Sequence, residues 1–136
     1  MREKKVLVTG GAGFIGSHLV DRLLADGHTV TVIDNFSTGR PGNLAHHNGH
    51  VRVIEADITD FNALFPHFRG QDIVFHIAAL ADIVPSIVTP RGYYASNVLG
   101  TMNVAEAARL AQVQKLVYAA SSSCYGIPPQ EFYPTP

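Results

Sequence analysis

The chain has 136 residues, 46% of them hydrophobic, and its 10 Lys and Arg against 11 Asp and Glu leave a formal net charge of −1. That length is one domain with ample apolar material for a core, and a near-neutral balance without blocks of like charge excludes the electrostatic footprint of a nucleic-acid or anionic-membrane binder. No apolar run approaches the roughly 18 residues of a bilayer span, and the charged start at Met1 to Lys5 lacks the layout of a signal peptide. The single cysteine, Cys124, excludes an internal disulfide and a cysteine-based zinc cage, so a soluble, cytoplasmic protein is expected.

The predicted elements alternate between strand and helix. Residues 5–8 are a short apolar run closed by Thr9 and Gly10. From Phe14, apolar residues recur at Ile15, Leu19, Val20, Leu23 and Leu24, with His18, Asp21, Arg22 and Asp26 opposite and Gly27 as the stop. This is an amphipathic helix with one buried stripe. Strands follow at 30–33, ending on Asp34, and at 51–54, 73–77 and 116–120. Thr59 and Asp60 open a short helical piece through Leu64 that stops at Pro66. A longer Ala-rich helix at 93–111 carries Val98, Met102, Ala105 and Ala108. Loops are expected at 35–43 and from Gly126 onward, where Pro128, Pro129, Pro134 and Pro136 gather. Apolar strands separated by helices describe parallel βαβ units, and the expected fold is a doubly wound α/β domain, a Rossmann fold, over 1–136.

Gly10, Gly13 and Gly16 stand at G-x-x-G-x-x-G spacing where the first strand turns into the first helix. The three answer different needs: a tight turn, close backbone approach to a pyrophosphate, and close packing of helix on strand. The helix N-terminus adds N–H groups and a positive dipole end for phosphates. Asp34 ends the second strand 18 residues beyond Gly16, where a carboxylate can pair with a ribose diol. A 2′-phosphate there would meet like charge, with Arg40 the only nearby base, which favours NAD over NADP. As a plain turn residue, Asp34 would carry no such meaning. Asp57 and Ile58 follow the third strand, where an acidic side chain or a backbone N–H can meet an adenine, though Asp is also ordinary turn chemistry.

Six ordered blocks then carry a resemblance: VTGGAGFIGSHLV at 8–20, VIDNFSTG at 32–39, ADITD at 56–60, VFHIAALA at 74–81, YYASNVLGT at 93–101 and KLVYAASSSCYG at 115–126. With them the chain resembles the extended short-chain dehydrogenase/reductases, and within these the NAD-dependent epimerase/dehydratase family, of the UDP-glucose 4-epimerase kind. The resemblance implies that Gly10, Gly13, Phe14, Ile15 and Gly16 line the pyrophosphate, that Asp34 and Asn35 hold the adenosine ribose, and that Asp57 and Ile58 flank the adenine. It places Ala78, Ala79 and Ala81 along the cofactor and Asn97 near the nicotinamide. Ser121 matches the catalytic Ser/Thr, whose hydroxyl holds a sugar oxygen and orients its proton. Ser122, Ser123 and Ser86 are expected at the sugar pocket. Relatives that dehydrate or decarboxylate the sugar carry acidic residues where Ser122 and Ser123 stand, which favours simple oxidation and re-reduction at one carbon. Ala81 stands where many hexose 4-epimerases carry a lysine.

The family's base is the tyrosine of a Tyr-x-x-x-Lys pair, the lysine lowering a phenol pKa that is otherwise about 10. Four residues after Tyr93, Tyr94, Tyr118 and Tyr125 come Asn97, Val98, Ser122 and Pro129, and Tyr133 would need position 137, so no such pair lies within these 136 residues. The resemblance therefore implies the N-terminal, cofactor-binding portion of an epimerase, with the C-terminal substrate-binding region absent, turnover negligible and homodimerisation a property of the complete enzyme. Its substrate would be a nucleotide sugar, a UDP-sugar by the same likeness. Two other readings stay open: a non-catalytic NAD-binding module, and an NAD(P)H-dependent reductase of the same superfamily.

His46, His47 and His50 lie in a polar stretch with no Cys or companion carboxylate nearby in sequence, and an exposed loop is expected there, with no metal. His76 reads as a buried, hydrogen-bonded side chain, and Cys124 as a small packed residue with no base assigned to it.

Overall fold

The computed structural model describes residues 2–121 together with Gly126 and Pro129. Ser122, Ser123, Cys124 and Tyr125 lie outside the described residues. Five strands, β1 (Lys5–Thr9), β2 (Thr29–Asp34), β3 (Arg52–Glu55), β4 (Ile73–His76) and β5 (Lys115–Tyr118), form one sheet in the order β3-β2-β1-β4-β5. All four pairings are parallel, with Val8 level with Val32 on one side and Phe75 on the other. β1 is the centre, and its apolar run is needed because both faces are covered. Side chains alternate across the sheet: Val6 and Val8 pack with Val20, Leu23, Val30, Val32 and Leu44 on one face. On the other, Leu7 and Ile33 pack with Leu64, Phe68, Val74, Val104 and Ala107.

The helices are α1 (Phe14–Ala25), α2 (Phe61–Leu64), α3 (Ile83–Val88), α4 (Pro90–Tyr94) and α5 (Thr101–Leu110). α1 ends as its sequence requires, Gly27 taking φ +81° just after the Asp26 cap. Its buried stripe is Gly16, Ser17, Val20 and Leu23. Phe14 and Ile15, expected in that stripe, are 78% and 67% exposed instead, because the first turn stands over the cleft at the end of β1 rather than over the sheet. Asp60 caps α2 by accepting from the N–H groups of Asn62 and Ala63. The α-helical piece ends at Leu64 as expected, and the chain then passes through Pro66 in a 3₁₀ turn, Phe65–Phe68, whose opening positions lose nothing by a missing N–H.

The long helix expected at 93–111 is composite. α4 begins at Pro90, a π-helical segment spans Ala95–Gly100, and α5 follows. A π turn takes up an extra residue and rotates the helix face downstream of it. The buried positions are accordingly Gly100, Val104, Ala107 and Ala108, while Val98 and Met102 are exposed. The expected loop at 35–43 gives way to a 3₁₀ turn at Pro41–His47. α3 is not among the predicted elements: it is only six residues long, and although Ile83, Val84, Ile87 and Val88 share one helical face, all four are exposed. Among the described residues, no helix is long and apolar enough to cross a membrane.

Candidate nucleotide-binding site

In a parallel sheet every strand delivers its carboxyl end to the same side, and successive connections leave β1 in opposite directions: out to β2 and β3, then across to β4 and β5. A crevice opens at that switch point, outside the ends of β1 and β4. It is lined at its base by the glycine loop (Gly10, Gly13, Gly16) with Phe14 and Ile15. Asp34, Asn35 and the 37–39 segment close one flank, Ile58 sits beyond them, and the 77–81 segment forms the opposite wall.

The glycine loop is held from several directions. The N–H of Gly10 donates to Ile33 O at 2.8 Å, and Gly10 itself has φ +73°. A Cβ on Gly10 would lie 2.6 Å from Ala78 N, so the turn and the crossing of the next strand both require glycine there. A Cβ on Gly16 would collide with Gly10 O, which fixes how closely α1 approaches β1. Gly13 differs: the nearest atom to a Cβ is Gly10 O at 3.3 Å, so the chain itself nearly tolerates a side chain there. As the N-cap of α1, Gly13 makes no side-chain cap, and Phe14-Ile15-Gly16-Ser17 adds no acid. The first-turn N–H groups and the positive end of the helix thus face the crevice.

Asp34 is 8% exposed and holds the loop to the sheet. Its Oδ2 accepts from Ala12 N–H at 2.9 Å, and its Oδ1 accepts from Phe36 N–H at 2.9 Å. The carbonyl of the same Ala12 accepts from Arg40 N–H at 3.0 Å and from Asn43 Nδ2 at 2.8 Å. Gly39 lies against the carboxylate, where a Cβ would come within 2.8 Å of Oδ1. Asn35 donates from Nδ2 to Asp57 Oδ2 at 2.7 Å and accepts from Ser37 N–H and Oγ. Burial alone raises the Asp57 carboxyl, but the N–H and hydroxyl of Thr59 and the Asn35 amide outweigh it and hold it below the usual range. Asp57 is not among the lining residues, whereas its neighbour Ile58 is.

Ala78, Ala79 and Ala81 line the crevice, small side chains along an extended path from β4. Asn97 does not line it. Its side chain clamps both backbone groups of Leu80, accepting from the N–H at 2.9 Å and donating to the carbonyl at 2.8 Å. Asn97 therefore shapes the wall from behind. Ser86 donates to Ile83 O at 2.6 Å within α3 and is also outside the lining set. Ser121 is exposed, three residues past the end of β5 on the same edge of the sheet as the crevice.

His76, 2% exposed, fits its expected reading as a buried, bonded residue. Thr101 donates its hydroxyl to Asn97 O at 2.8 Å, so it accepts from His76 Nε2 at 2.9 Å. The Nδ1 then accepts from the Thr9 hydroxyl at 2.7 Å. A neutral Nε2–H tautomer satisfies the whole chain, and burial pushes the imidazole pKa down to about 4. The histidine cluster departs from expectation. The fold supplies the companion carboxylate that the local sequence lacks, Asp21 of α1, within 2.9 Å of both His46 and His47.

A parallel sheet with a glycine loop and a strand-end acid at its switch point defines a dinucleotide-binding domain. Residues 6–135 match the model of the NAD dependent epimerase/dehydratase family, and the chain belongs to that family. It is 46% identical to the UDP-glucose 4-epimerase of Mycolicibacterium smegmatis, over 96% of this chain and 42% of that protein. It is 38% identical to UDP-glucuronic acid decarboxylase 1 of Danio rerio, over 92% of this chain and 29% of that protein. Among solved structures, the UDP-N-acetylglucosamine 4-epimerase of Methanobrevibacter ruminantium, in complex with UDP-N-acetylmuramic acid, superposes with a TM-score of 0.87 at 38% identity, covering 96% of this chain and 42% of that one. The UDP-glucose 4-epimerase of Thermus thermophilus, in complex with NAD, gives 0.84 at 40% identity over 93% and 40%. The chain thus spans less than half the length of these relatives.

Proposed function

We propose that this chain is the cofactor-binding portion of an NAD-dependent nucleotide-sugar epimerase. The observation that carries the reading is the pairing of Asp34 with the glycine loop at the switch-point crevice. The residues fit a dinucleotide. At Gly13 the bare backbone allows a diphosphate to approach where a Cβ would meet only Gly10 O, at 3.3 Å, and the first turn of α1 presents N–H groups there. Each Asp34 oxygen holds one N–H and retains acceptor capacity for a ribose hydroxyl. Asn35, with Asp57 behind it, sets the loop beside the ribose, and Ile58 offers an apolar face to the adenine. Ala78, Ala79 and Ala81 allow the cofactor to lie close along the wall that Asn97 braces. NAD, when bound, supplies a hydride acceptor and donor. Ser121 holds the sugar oxygen and orients its proton, with Ser122, Ser123 and Ser86 bordering the sugar.

Epimerisation is favoured over decarboxylation by the neutral Ser122 and Ser123, and the similarity to UDP-sugar enzymes supports a UDP-sugar as the substrate. In this reading residues 1–136 supply the dinucleotide-binding domain, and the Tyr-x-x-x-Lys pair comes from chain beyond them. The complete enzyme would be a cytoplasmic homodimer. A chimera tests this: residues 1–136 replace the matching part of the Mycolicibacterium smegmatis UDP-glucose 4-epimerase. The expected result is interconversion of UDP-glucose and UDP-galactose without net cofactor consumption. A folded, NAD-binding chimera that leaves both sugars unchanged would overturn the epimerase reading.

A further inference from the structure

Away from the crevice, α1 carries Asp21 toward the turn at Pro41–His47, which ends in consecutive histidines. His46 Nε2 lies 2.9 Å from Asp21 Oδ1, and His47 Nε2 lies 2.8 Å from the same oxygen. The two rings sit 3.9 Å apart between centroids, tilted by 42°. The first contact is a hydrogen bond. The second is not aligned as one: among the described residues, the buried His47 Nε2 has no hydrogen-bond partner despite its proximity to the carboxylate. Two imidazole nitrogens aimed at one carboxylate oxygen, with a single hydrogen bond between them, form an arrangement that a cation completes.

We propose that Asp21, His46 and His47 bind a divalent cation of the zinc class, with His50 next to the fourth position. Two imidazoles and one carboxylate, without thiolate, suit zinc and its imidazole-preferring neighbours and disfavour magnesium and calcium. The three ligand atoms lie within 4.8 Å of one another. A tetrahedral ion with ligands at about 2.0–2.2 Å holds them about 3.4 Å apart. Small rotations suffice, because the Asp21 and His46 side chains are 44% and 58% exposed and free to adjust, while His47 at 12% is the fixed point. His50 and Asn48 line the same cavity as these three. Three ligands from two elements would join α1 to the turn whose Asn43 holds the glycine loop at Ala12. The site is independent of the nucleotide reading.

Calorimetric titration of the chelator-stripped 136-residue chain with zinc chloride tests the proposal, with cobalt(II) as a coloured probe of four-coordination. One equivalent should bind, and Asp21→Asn and His47→Ala should each weaken binding at least about tenfold, given that loss of even an outer partner costs about 10–100-fold. His28→Ala, remote from the cluster, should leave binding unchanged. On the unaltered chain, zinc should protect His46 and His47 from diethyl pyrocarbonate while His18 and His28 remain labelled. Absence of stoichiometric binding, binding that survives both ligand substitutions, or labelling of His46 and His47 in saturating zinc would overturn it.

Discussion

The carboxylate of Asp34 and the N–H of Ala12, 22 positions apart in sequence, are hydrogen-bonded at 2.9 Å. The residue proposed to receive a ribose is thereby also the residue that fixes the glycine loop. Substitution at Asp34 reads out two effects, which two variants separate. Asp34→Ala leaves a buried N–H without its acceptor and should cost about 1–3 kcal/mol of stability, measured by urea denaturation. Asp34→Asn keeps one acceptor oxygen, so it should lose less stability while still weakening nucleotide affinity.

The three glycines of the loop should behave unequally. Gly16→Ala drives a methyl into Gly10 O and should destabilise the fold by several kcal/mol, because backbone on both sides prevents relief. Gly13→Ala meets a 3.3 Å contact that a shift of a few tenths of an ångström relieves, and it should lower the melting temperature far less than Gly16→Ala does. Its main effect should appear in NAD⁺ affinity. Equal stability losses in the two variants would contradict the division of roles.

His76 makes stability depend on pH. Its native pKa of about 4 lies below the 6.5 of an unperturbed imidazole, so between those values the unfolded chain takes up a proton that the native one refuses. Stability therefore falls as pH drops below about 6.5, and the full loss, on the order of 3 kcal/mol, is reached below about 4. Denaturation midpoints of the unaltered chain and of His76→Gln should converge across that window, the variant lacking this component.

Asn97 touches the crevice only through Leu80. Asn97→Ala frees both backbone groups of Leu80, so the 78–81 wall should lose amide-exchange protection. Nucleotide affinity should fall with it, while the glycine loop keeps its protection.

Much of this was legible in the sequence because each feature is local. The apolar runs of β1 and β2 mark buried parallel strands, and the glycine spacing with Asp34 marks the crevice at their carboxyl ends. What escaped depends on distant partners. Phe14 and Ile15 have helical spacing, yet they open outward because no sheet lies beneath the first turn. The π segment at Ala95–Gly100 has no compositional signature, and it rotates α5 so that Val104 rather than Met102 is buried. The resemblance sets Asn97 near the nicotinamide, and its bonds in the structure go to the Leu80 backbone, 17 residues back in the chain, which no local pattern announces. The histidines at 46 and 47 lacked a carboxylate in the local sequence, and only the packing of the turn on α1 brings Asp21 to them.

Isothermal titration of the 136-residue chain with NAD⁺ and NADP⁺ tests the nucleotide site built on Asp34 and the glycine loop. Saturable binding of one NAD⁺ is expected, weakened by Asp34→Asn in a chain whose circular dichroism is unchanged. At least about tenfold weaker binding of NADP⁺ is also expected, from like charge at the 2′-phosphate. A folded chain that binds neither nucleotide, or that binds both equally with and without the Asp34 carboxylate, would contradict that site.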